Sequence, residues 1–560
     1  MDHPDAALEE PFVNRRSFLT SSSLAAAATL AVRVVPDAAA QAGTATRSPV
    51  VETSLGRIRG YVDKGVHAFR GVPYAASTAG ANRFLPPQPA APWAGVRDAV
   101  ELGLRAPQAQ DARVPEWFVM DRTEPQGEDC LVVNVWTPGL NDNTRRPVVV
   151  WLHGGGFTGG SNGFLAYDGA NLARRHNVVV VGVNHRLNVF GFLYLGDLGG
   201  SRYRSGNVGM LDIVAALEWV KANADRFGGD ASSVTIFGQS GGGSKVSTLL
   251  GMPAAKGLFH RALAMSGSQV RSIPREQATQ TARALLAKLN LGPNQVDELH
   301  TLPMRRIRGA FIEGGAGIGG FAPVVDGTSI PAHIFDPTAT EISADVPLMI
   351  GSTETEQTWN ESQLYDPLSD AELREDVARQ LRNDETAAQR VIDVYKANRP
   401  QASNLDLYLI LASDASGFRT GTDLQAIRKA EQRRAPVYKY YFQWYSPVRG
   451  GMLRSMHTMD VPFVFYNHEI AATELGTGPD VAPLSEQMSA TFIQFARTGN
   501  PNNGSIPNWP AHDSSLKQTL VWNKQVAVVN DPYGREKAAL AAGRGQPSAG
   551  GRRGGGPAAQ

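Results

Sequence analysis

Apolar residues along this chain fall into two rhythms. Residues 148–152, 178–184 and 234–237 are short, mostly apolar runs dominated by β-branched and aromatic side chains. Runs of that length and make-up predict strands buried on both faces. A comparable run at 346–351 ends at Gly351. Between the runs the spacing changes. Residues 207–230 carry Leu211, Val214 and Leu217 one helical turn apart, which predicts an amphipathic helix. Val246, Leu249 and Leu250 have helical spacing after the run at 234–237, and Met488, Phe492 and Phe495 share one helical face further on. Residues 51–98 read as short strands and turns. Strands alternating with helices predict an α/β protein with a mostly parallel central sheet flanked by helices.

The sharpest break in the pattern follows the run at 234–237. There the chain turns through Gly238-Gln239-Ser240-Gly241-Gly242 and leaves as a helix. Side chains at the flanking glycines would clash in so tight a turn, and the strained turn lifts the serine oxygen clear of the backbone. Strand, turn and helix around G-x-S-x-G resemble the nucleophile elbow of the α/β-hydrolases. A second glycine run, His153-Gly154-Gly155-Gly156-Phe157, follows the strand at 148–152. Successive glycines let backbone N–H groups approach a ligand atom closely, as an oxyanion loop requires.

A serine nucleophile needs a base, and the base needs an orienting acid. Two carboxylates, Glu354 and Glu356, follow the strand that ends at Gly351. In an extended segment both point to the same side, so alternation alone does not separate them, and the one that is not the acid is expected to be solvated.

Two stretches make a wider resemblance specific: Phe69-Arg70-Gly71-Val72-Pro73-Tyr74-Ala75 and Gly127-Glu128-Asp129-Cys130-Leu131-Val132-Val133-Asn134-Val135. Together with the elbow, the glycine loop and residues 259–268, they resemble the type-B carboxylesterase family over about residues 51–531. The resemblance implies an α/β-hydrolase fold with helical cap insertions, in a single domain spanning 43–540. It implies a serine carboxylesterase that works through an acyl-enzyme, without cofactor or metal. Ser240 is then the nucleophile, and the N–H groups of Gly155, Gly156 and Gly241 form the oxyanion hole. The acid falls at Glu356, flanked by Thr355 and Gln357 where the family has Asp and Gly. Ser455-Met456-His457-Thr458-Met459-Asp460 matches the family's histidine motif and makes His457 the base, with Thr458 for Gly and Asp460 for Glu. Gln239, Ser266 and Asp460 fall beside the triad. Gln239 stands where many members carry Glu, which removes a negative charge next to the nucleophile. Phe157, Gly317, Gly319 and Phe321 are candidate substrate-pocket residues; the loop that carries the family's choline-binding aromatic looks shorter here, so that aromatic does not carry over and Trp117 is the nearest candidate. Glycines at 317 and 319, where cholinesterases have bulky side chains, imply an acyl pocket open to acids larger than acetate. The family also holds non-catalytic binding proteins that lost the triad, but all three residue types are present here. Hydrolysis of specialised esters, such as carbamates, lactones, polyesters or toxin esters, stays open as the alternative substrate class.

Composition narrows the setting. Lys and Arg number 54 against 53 Asp and Glu, a balance that gives no reason to expect nucleic acid or an anionic membrane as partner. One cysteine, Cys130, excludes an intrachain disulfide and a metal site built from several thiolates. Asn14-Arg15-Arg16-Ser17-Phe18-Leu19, an Ala-rich apolar run and small residues near 38–42 have the form of a twin-arginine signal. Residues 1–42 are therefore expected to direct the precursor to the twin-arginine export machinery, and the enzyme to the periplasm or the medium. The apolar run is too short for stable membrane insertion. Residues 541–560, rich in Gly, Arg and Ala, are expected to be a disordered tail. A small-molecule ester is the expected partner; the oligomeric state is left open.

Overall fold

A computed structural model describes residues 46–109, 124–315, 317–359 and 367–544. Its strands, in chain order, are β1 (Thr46–Thr53), β2 (Gly56–Asp63), β3 (Val66–Pro73), β4 (Val96–Asp98), β5 (Val132–Thr137), β6 (Arg146–Leu152), β7 (Val179–Val183) and β8 (Gly229–Gln239). They continue with β9 (Arg261–Met265), β10 (Ile273–Pro274), β11 (Val324–Val325), β12 (Leu348–Thr353), β13 (Val437–Phe442), β14 (Gln518–Trp522) and β15 (Ala527–Asn530). Thirteen of these strands form one sheet, ordered β1-β2-β3-β5-β7-β6-β8-β9-β12-β13-β14-β15 with β4 beside β2. From β7 to β14 all neighbours are parallel. Antiparallel strands extend the sheet on both sides, β5 through β1 at one and β15 at the other.

The mostly apolar runs have a direct cause. Val148, Val150, Leu152, Val179, Val181 and Ile236 belong to the core on one face of the sheet. Val149, Trp151, Val180 and Phe237 belong to the core on the other. With helices over both faces, neither parity of the strand meets water, so the polar half of the usual alternation disappears. Trp151 anchors the second core, packed 4.7 Å from Tyr167 and 4.9 Å from both Phe237 and Phe465.

The helix expected in 207–230 spans Val208–Asn223, but it is not amphipathic. Only Glu218, Lys221 and Ala222 are exposed, while Leu211 is half-buried and Asp212 wholly buried. The reason is an ion pair. Arg186, also buried, donates from Nε and Nη2 to the Asp212 carboxylate at 2.8 and 2.6 Å, and its backbone N–H adds a third bond at 3.0 Å. A charge can be buried when it is paired and hydrogen-bonded at this density. Cys130 is also fully buried, and burial pushes its thiol well above its ordinary range.

Helices Asp370–Gln380, Glu385–Asn398 and Asn404–Ala415 make a smaller core of their own, built on Leu373, Val377, Val391 and Ile410. Leu540 joins it from the last helix, Gly534–Gly543. That helix corrects the expected start of the tail. The chain stays helical past Ala541 because Leu540 packs into this core and Glu536 is buried against Arg399. The rest of the expected tail, the expected signal at 1–42 and Trp117 lie outside the described residues. Among the described residues no helix is long and apolar enough to cross a membrane.

Candidate functional site

Parallel strands bring their C-terminal ends to one edge of the sheet, where ligands of open α/β sheets bind. β6 ends into the glycine loop, β8 into Ser240, β9 into Ser266, and β12 into the turn that carries Glu356.

The elbow is made by backbone touching backbone. A Cβ on Gly238 would sit 2.6 Å from the carbonyl oxygens of Gly242 and Leu152, and one on Gly242 would sit 1.9 Å from the Leu152 oxygen. Ser240 itself has φ +56° and ψ −126°, a conformation L-residues rarely adopt. Two hydrogen bonds hold it there. Its N–H donates to the Met265 carbonyl at 2.8 Å, and its own carbonyl accepts from the Ser244 N–H at 3.0 Å. The helix Gly241–Leu249 starts at once, so the N–H of Gly241 has no helical acceptor.

The glycine loop lies on this helix start. Gly155 and Gly156 have φ +85° and +59°, and the Gly155 carbonyl accepts from Gly159 at 2.9 Å to close the turn. A Cβ on Gly241 would fall 2.4 Å from the Gly156 Cα. The N–H groups of Gly155, Gly156 and Gly241 are paired with no acceptor in the described protein. Gln108 secures the far end of the loop, accepting from the Gly160 N–H at 2.8 Å and donating to its carbonyl at 3.1 Å.

Of the two carboxylates after β12, the structure brings Glu356 to His457. Glu356 Oε2 lies 2.5 Å from His457 Nδ1, and Oε1 accepts from the Thr353 N–H at 2.8 Å. The bond back to Thr353 shows that the segment turns rather than staying extended. Thr355 bridges in parallel to Met456, and its N–H donates to the Ser455 carbonyl at 3.1 Å, which joins the acid turn to the histidine loop. Burial raises the Glu356 pKa, but the His457 charge and hydrogen bond, the nearby Ser266 hydroxyl and the Arg419 charge outweigh it. The net value lies below the usual glutamate range. With Nδ1 facing a carboxylate, the ring proton belongs there and Nε2 is free to accept. The Gln239 amide nitrogen lies 3.1 Å from that Nε2, so the second ring nitrogen faces the elbow.

Glu354 is not the solvated carboxylate expected. It is 5% exposed, accepts from Gln443 Nε2 at 2.7 Å, and pairs with Arg399 at 3.4 Å. Asp460 is buried with its Oδ2 accepting from the Tyr440 hydroxyl at 2.7 Å. Burial and the Glu356 charge raise its pKa to about 7, against the Tyr440 hydrogen bond and the His457 charge. Ser266 is buried, and its N–H donates to the Gly351 carbonyl at 2.8 Å.

The pocket residues are placed differently. Phe157 turns inward, edge-on to Phe192 at 5.1 Å, and Phe321 is a core residue packed 5.6 Å from Phe311. Both rings are buried, so packing rather than solvent-facing lining accounts for their positions. Gly317 and Gly319 lie exposed at φ +78° and +157°, and a Cβ on Gly319 would meet nothing within 4 Å.

Three neighbours of the site went unread in the sequence. The Phe418 ring lies 4.4 Å from the His457 imidazole. Arg419, buried over the Tyr441 ring at 4.0 Å, donates to the Thr353 carbonyl and, at 3.4 Å, to that of Glu354. Both come from the helix Gly417–Glu431, far from any motif. The third, Lys245, carried a signal: a lysine inside the otherwise apolar and small helix that follows the elbow.

The glycine loop, the elbow and the Glu356–His457 pair, in that chain order on this sheet, define an α/β-hydrolase. Residues 47–540 match the model of the carboxylesterase family, and the chain belongs to that family. It is 34% identical over 510 residues to the para-nitrobenzyl esterase of Bacillus subtilis, spanning 89% of this chain and 99% of that one. It is 32% identical over 502 residues to the phenmedipham hydrolase of Pseudarthrobacter oxydans, spanning 86% and 96%. Among solved structures, the Geobacillus stearothermophilus carboxylesterase EST55 superposes with a TM-score of 0.75 at 36% identity, over 88% of this chain and all of that one. A Clostridium hathewayi esterase that can hydrolyse aliphatic aromatic polyesters superposes with 0.76 at 32% identity, over 89% and 99%. The protein is a carboxylic ester hydrolase.

Two substitutions test the geometry. Glu356→Gln should lower turnover at least ~10²-fold with the fold intact, by analogy with the neutralised acid of a serine-protease triad. Glu354→Ala should instead lower unfolding free energy by about 1–3 kcal/mol, because Gln443 and Arg399 lose a buried acceptor. Its turnover per folded molecule should stay within a few-fold, and urea titration with steady-state kinetics separates the two outcomes.

Asp460 gives a pH prediction. Its pKa in the folded chain, about 7, lies above the ordinary 3.8, so the folded state keeps a proton that the unfolded chain has lost. Stability carried by this group therefore falls as pH rises from the ordinary value through the folded one. Asp460→Asn lacks that slope and should gain stability relative to the parent between pH 5 and pH 8. Parallel unfolding profiles over that range would show that the group does not titrate as described.

Proposed function

We propose that the protein cleaves carboxylic esters through an acyl-enzyme formed on Ser240. His457 Nε2 takes the proton of the Ser240 hydroxyl as its oxygen bonds to the ester carbonyl carbon. The carbonyl oxygen becomes an oxyanion that accepts from the N–H groups of Gly155, Gly156 and Gly241. The imidazolium then gives the proton to the leaving alcohol as the C–O bond breaks. Water, deprotonated by the same nitrogen, attacks the acyl carbon and returns the serine. Glu356 keeps the proton on Nδ1 and offsets the positive charge that the ring acquires. The single observation that carries this reading is the buried Glu356–His457 hydrogen bond, whose ring turns its second nitrogen toward Gln239 in the elbow. Three idle N–H donors beside a strained serine support it.

We also infer that the precursor leaves the cytoplasm by the twin-arginine route, from Arg15-Arg16 and the apolar, small-residue run that follows. Replacing Arg15 and Arg16 with lysine should hold the precursor in the cytoplasm; normal export of that variant removes the inference.

Ser240→Ala tests the mechanism. On a chromogenic short-chain ester it should lose essentially all turnover, and a fluorophosphonate probe that labels the parent should no longer label it. Circular dichroism should be unchanged. Persisting turnover or labelling in this variant would move the nucleophile elsewhere, and a parent that is not labelled would point to a binding protein.

A further inference from the structure

Lys245 lies one helical turn past Ser240, in the helix Gly241–Leu249, and is wholly buried. Its Nζ donates to the carbonyl of His153 at 2.8 Å and lies 5.9 Å from the centre of the Phe157 ring, within cation–π range. His153 and Phe157 are the residues on either side of Gly154-Gly155-Gly156. One amine thus grips both ends of the glycine loop. From the helix side, contact prevents the loop from moving closer: a Cβ on Gly242 would meet the oxygens of Leu152 and His153 at 1.9 and 3.0 Å. The lysine supplies the opposing pull.

This amine is poorly compensated. No carboxylate among the described residues lies within ion-pair reach of it, and burial brings its pKa down to about 7. The His153 and His185 rings give no counter-charge either. His185 stacks on His153 at 5.1 Å, and burial together with the Lys245 charge drives its pKa well below the usual range. Two other buried lysines are better served. Lys429 Nζ has three acceptors, the carbonyls of Ser343 and Ala344 and the Gln432 side chain, at 2.7, 2.8 and 3.0 Å. Lys439 is paired with Asp423 at 2.5 Å. A buried amine with one acceptor costs stability that an apolar side chain would not. Such a cost at the edge of a catalytic loop is the pattern of a residue kept for activity.

We propose that Lys245 is a positioning residue for ester hydrolysis: its amine, bonded to the His153 carbonyl, holds the glycine loop at the setting in which Gly155 and Gly156 meet the oxyanion. The proposal rests on the reading of those N–H groups as oxyanion donors. A donor set slightly out of place loses strength in the transition state and little in the ground state, so the loss belongs in kcat.

Lys245→Met keeps the length and removes the donor; Lys245→Arg keeps a donor. Active sites are counted by fluorophosphonate titration, so that kcat refers to competent molecules. For Lys245→Met we expect kcat to fall about tenfold or more, KM to stay within about threefold, and the unfolding midpoint to be equal or higher. Inhibition by an aliphatic trifluoromethyl ketone, which forms a tetrahedral oxyanion adduct with serine, should weaken in step with kcat/KM. Inhibition by the matching methylene compound, which cannot form the adduct, should not change. Lys245→Arg should recover part of the kcat. Unchanged kcat per titrated site in Lys245→Met overturns the proposal, as does equal weakening of both inhibitors. A Lys245→Met chain that fails to fold, or melts well below the parent, makes the amine a stability element and also overturns it. Activity that survives Ser240→Ala would instead overturn the oxyanion reading itself, so the two failures are told apart.

Discussion

Everything at this site depends on how closely three pieces of backbone can approach one another. The end of β6, the end of β8 and the first turn of the helix after Ser240 touch without intervening side chains, at Leu152, Gly238 and Gly242. That contact forces the serine into its unusual conformation, which costs of order 1–3 kcal/mol, and the surrounding parallel strands hold it there. It also brings an unpaired helix N-terminus against the glycine loop, so that donors from two different elements are idle in one place. The acid and the base reach the same edge because β12 and β13 run parallel to β8. Without the close contact, the same residues would lie at the strand ends but not converge.

How much of this could be read in advance follows from where the constraint acts. The runs at 148–152 and 178–184 were legible because both sheet faces are covered, which leaves a mostly apolar signature. The elbow was legible because steric exclusion writes itself as glycine at fixed positions. Glu354 and Glu356 were not separable, because their difference is a turn closed by the Thr353 N–H and not a change in residue type. The helix Val208–Asn223 looked one-sided because a buried aspartate in sequence resembles an exposed one; only its pairing with Arg186 tells them apart. Phe418 and Arg419 carry no local pattern at all. They reach the histidine and the acid turn through packing of a helix whose own sequence is unremarkable.

The acid turn sits on an unusually charged foundation. Arg399 joins Glu354 to Glu536 and lies 3.9 Å above the Tyr533 ring, while Arg419 holds the Thr353 and Glu354 carbonyls and pairs with Asp414 at 3.4 Å. Glu536 and Tyr533 belong to the C-terminal segment, so the last helix is wired to the turn that carries Glu356. Buried charges of this kind stabilise little against apolar packing, but each is costly to leave unpaired. They therefore fix one arrangement of the turn. The cation from Arg419 also helps keep Glu356 ionised despite its burial.

Cys130 has a consequence of a different kind. It is the one thiol in the sequence, it is sealed in the core, and its burial keeps it in the unreactive protonated form. No intrachain cystine can form, and the thiolate that would attack peroxide or glutathione disulfide is scarcely populated in the folded chain. The folded molecule therefore keeps the same covalent structure in a reducing compartment as in an oxidising one. Its redox surroundings can change without altering the enzyme, whichever side of a membrane it works on.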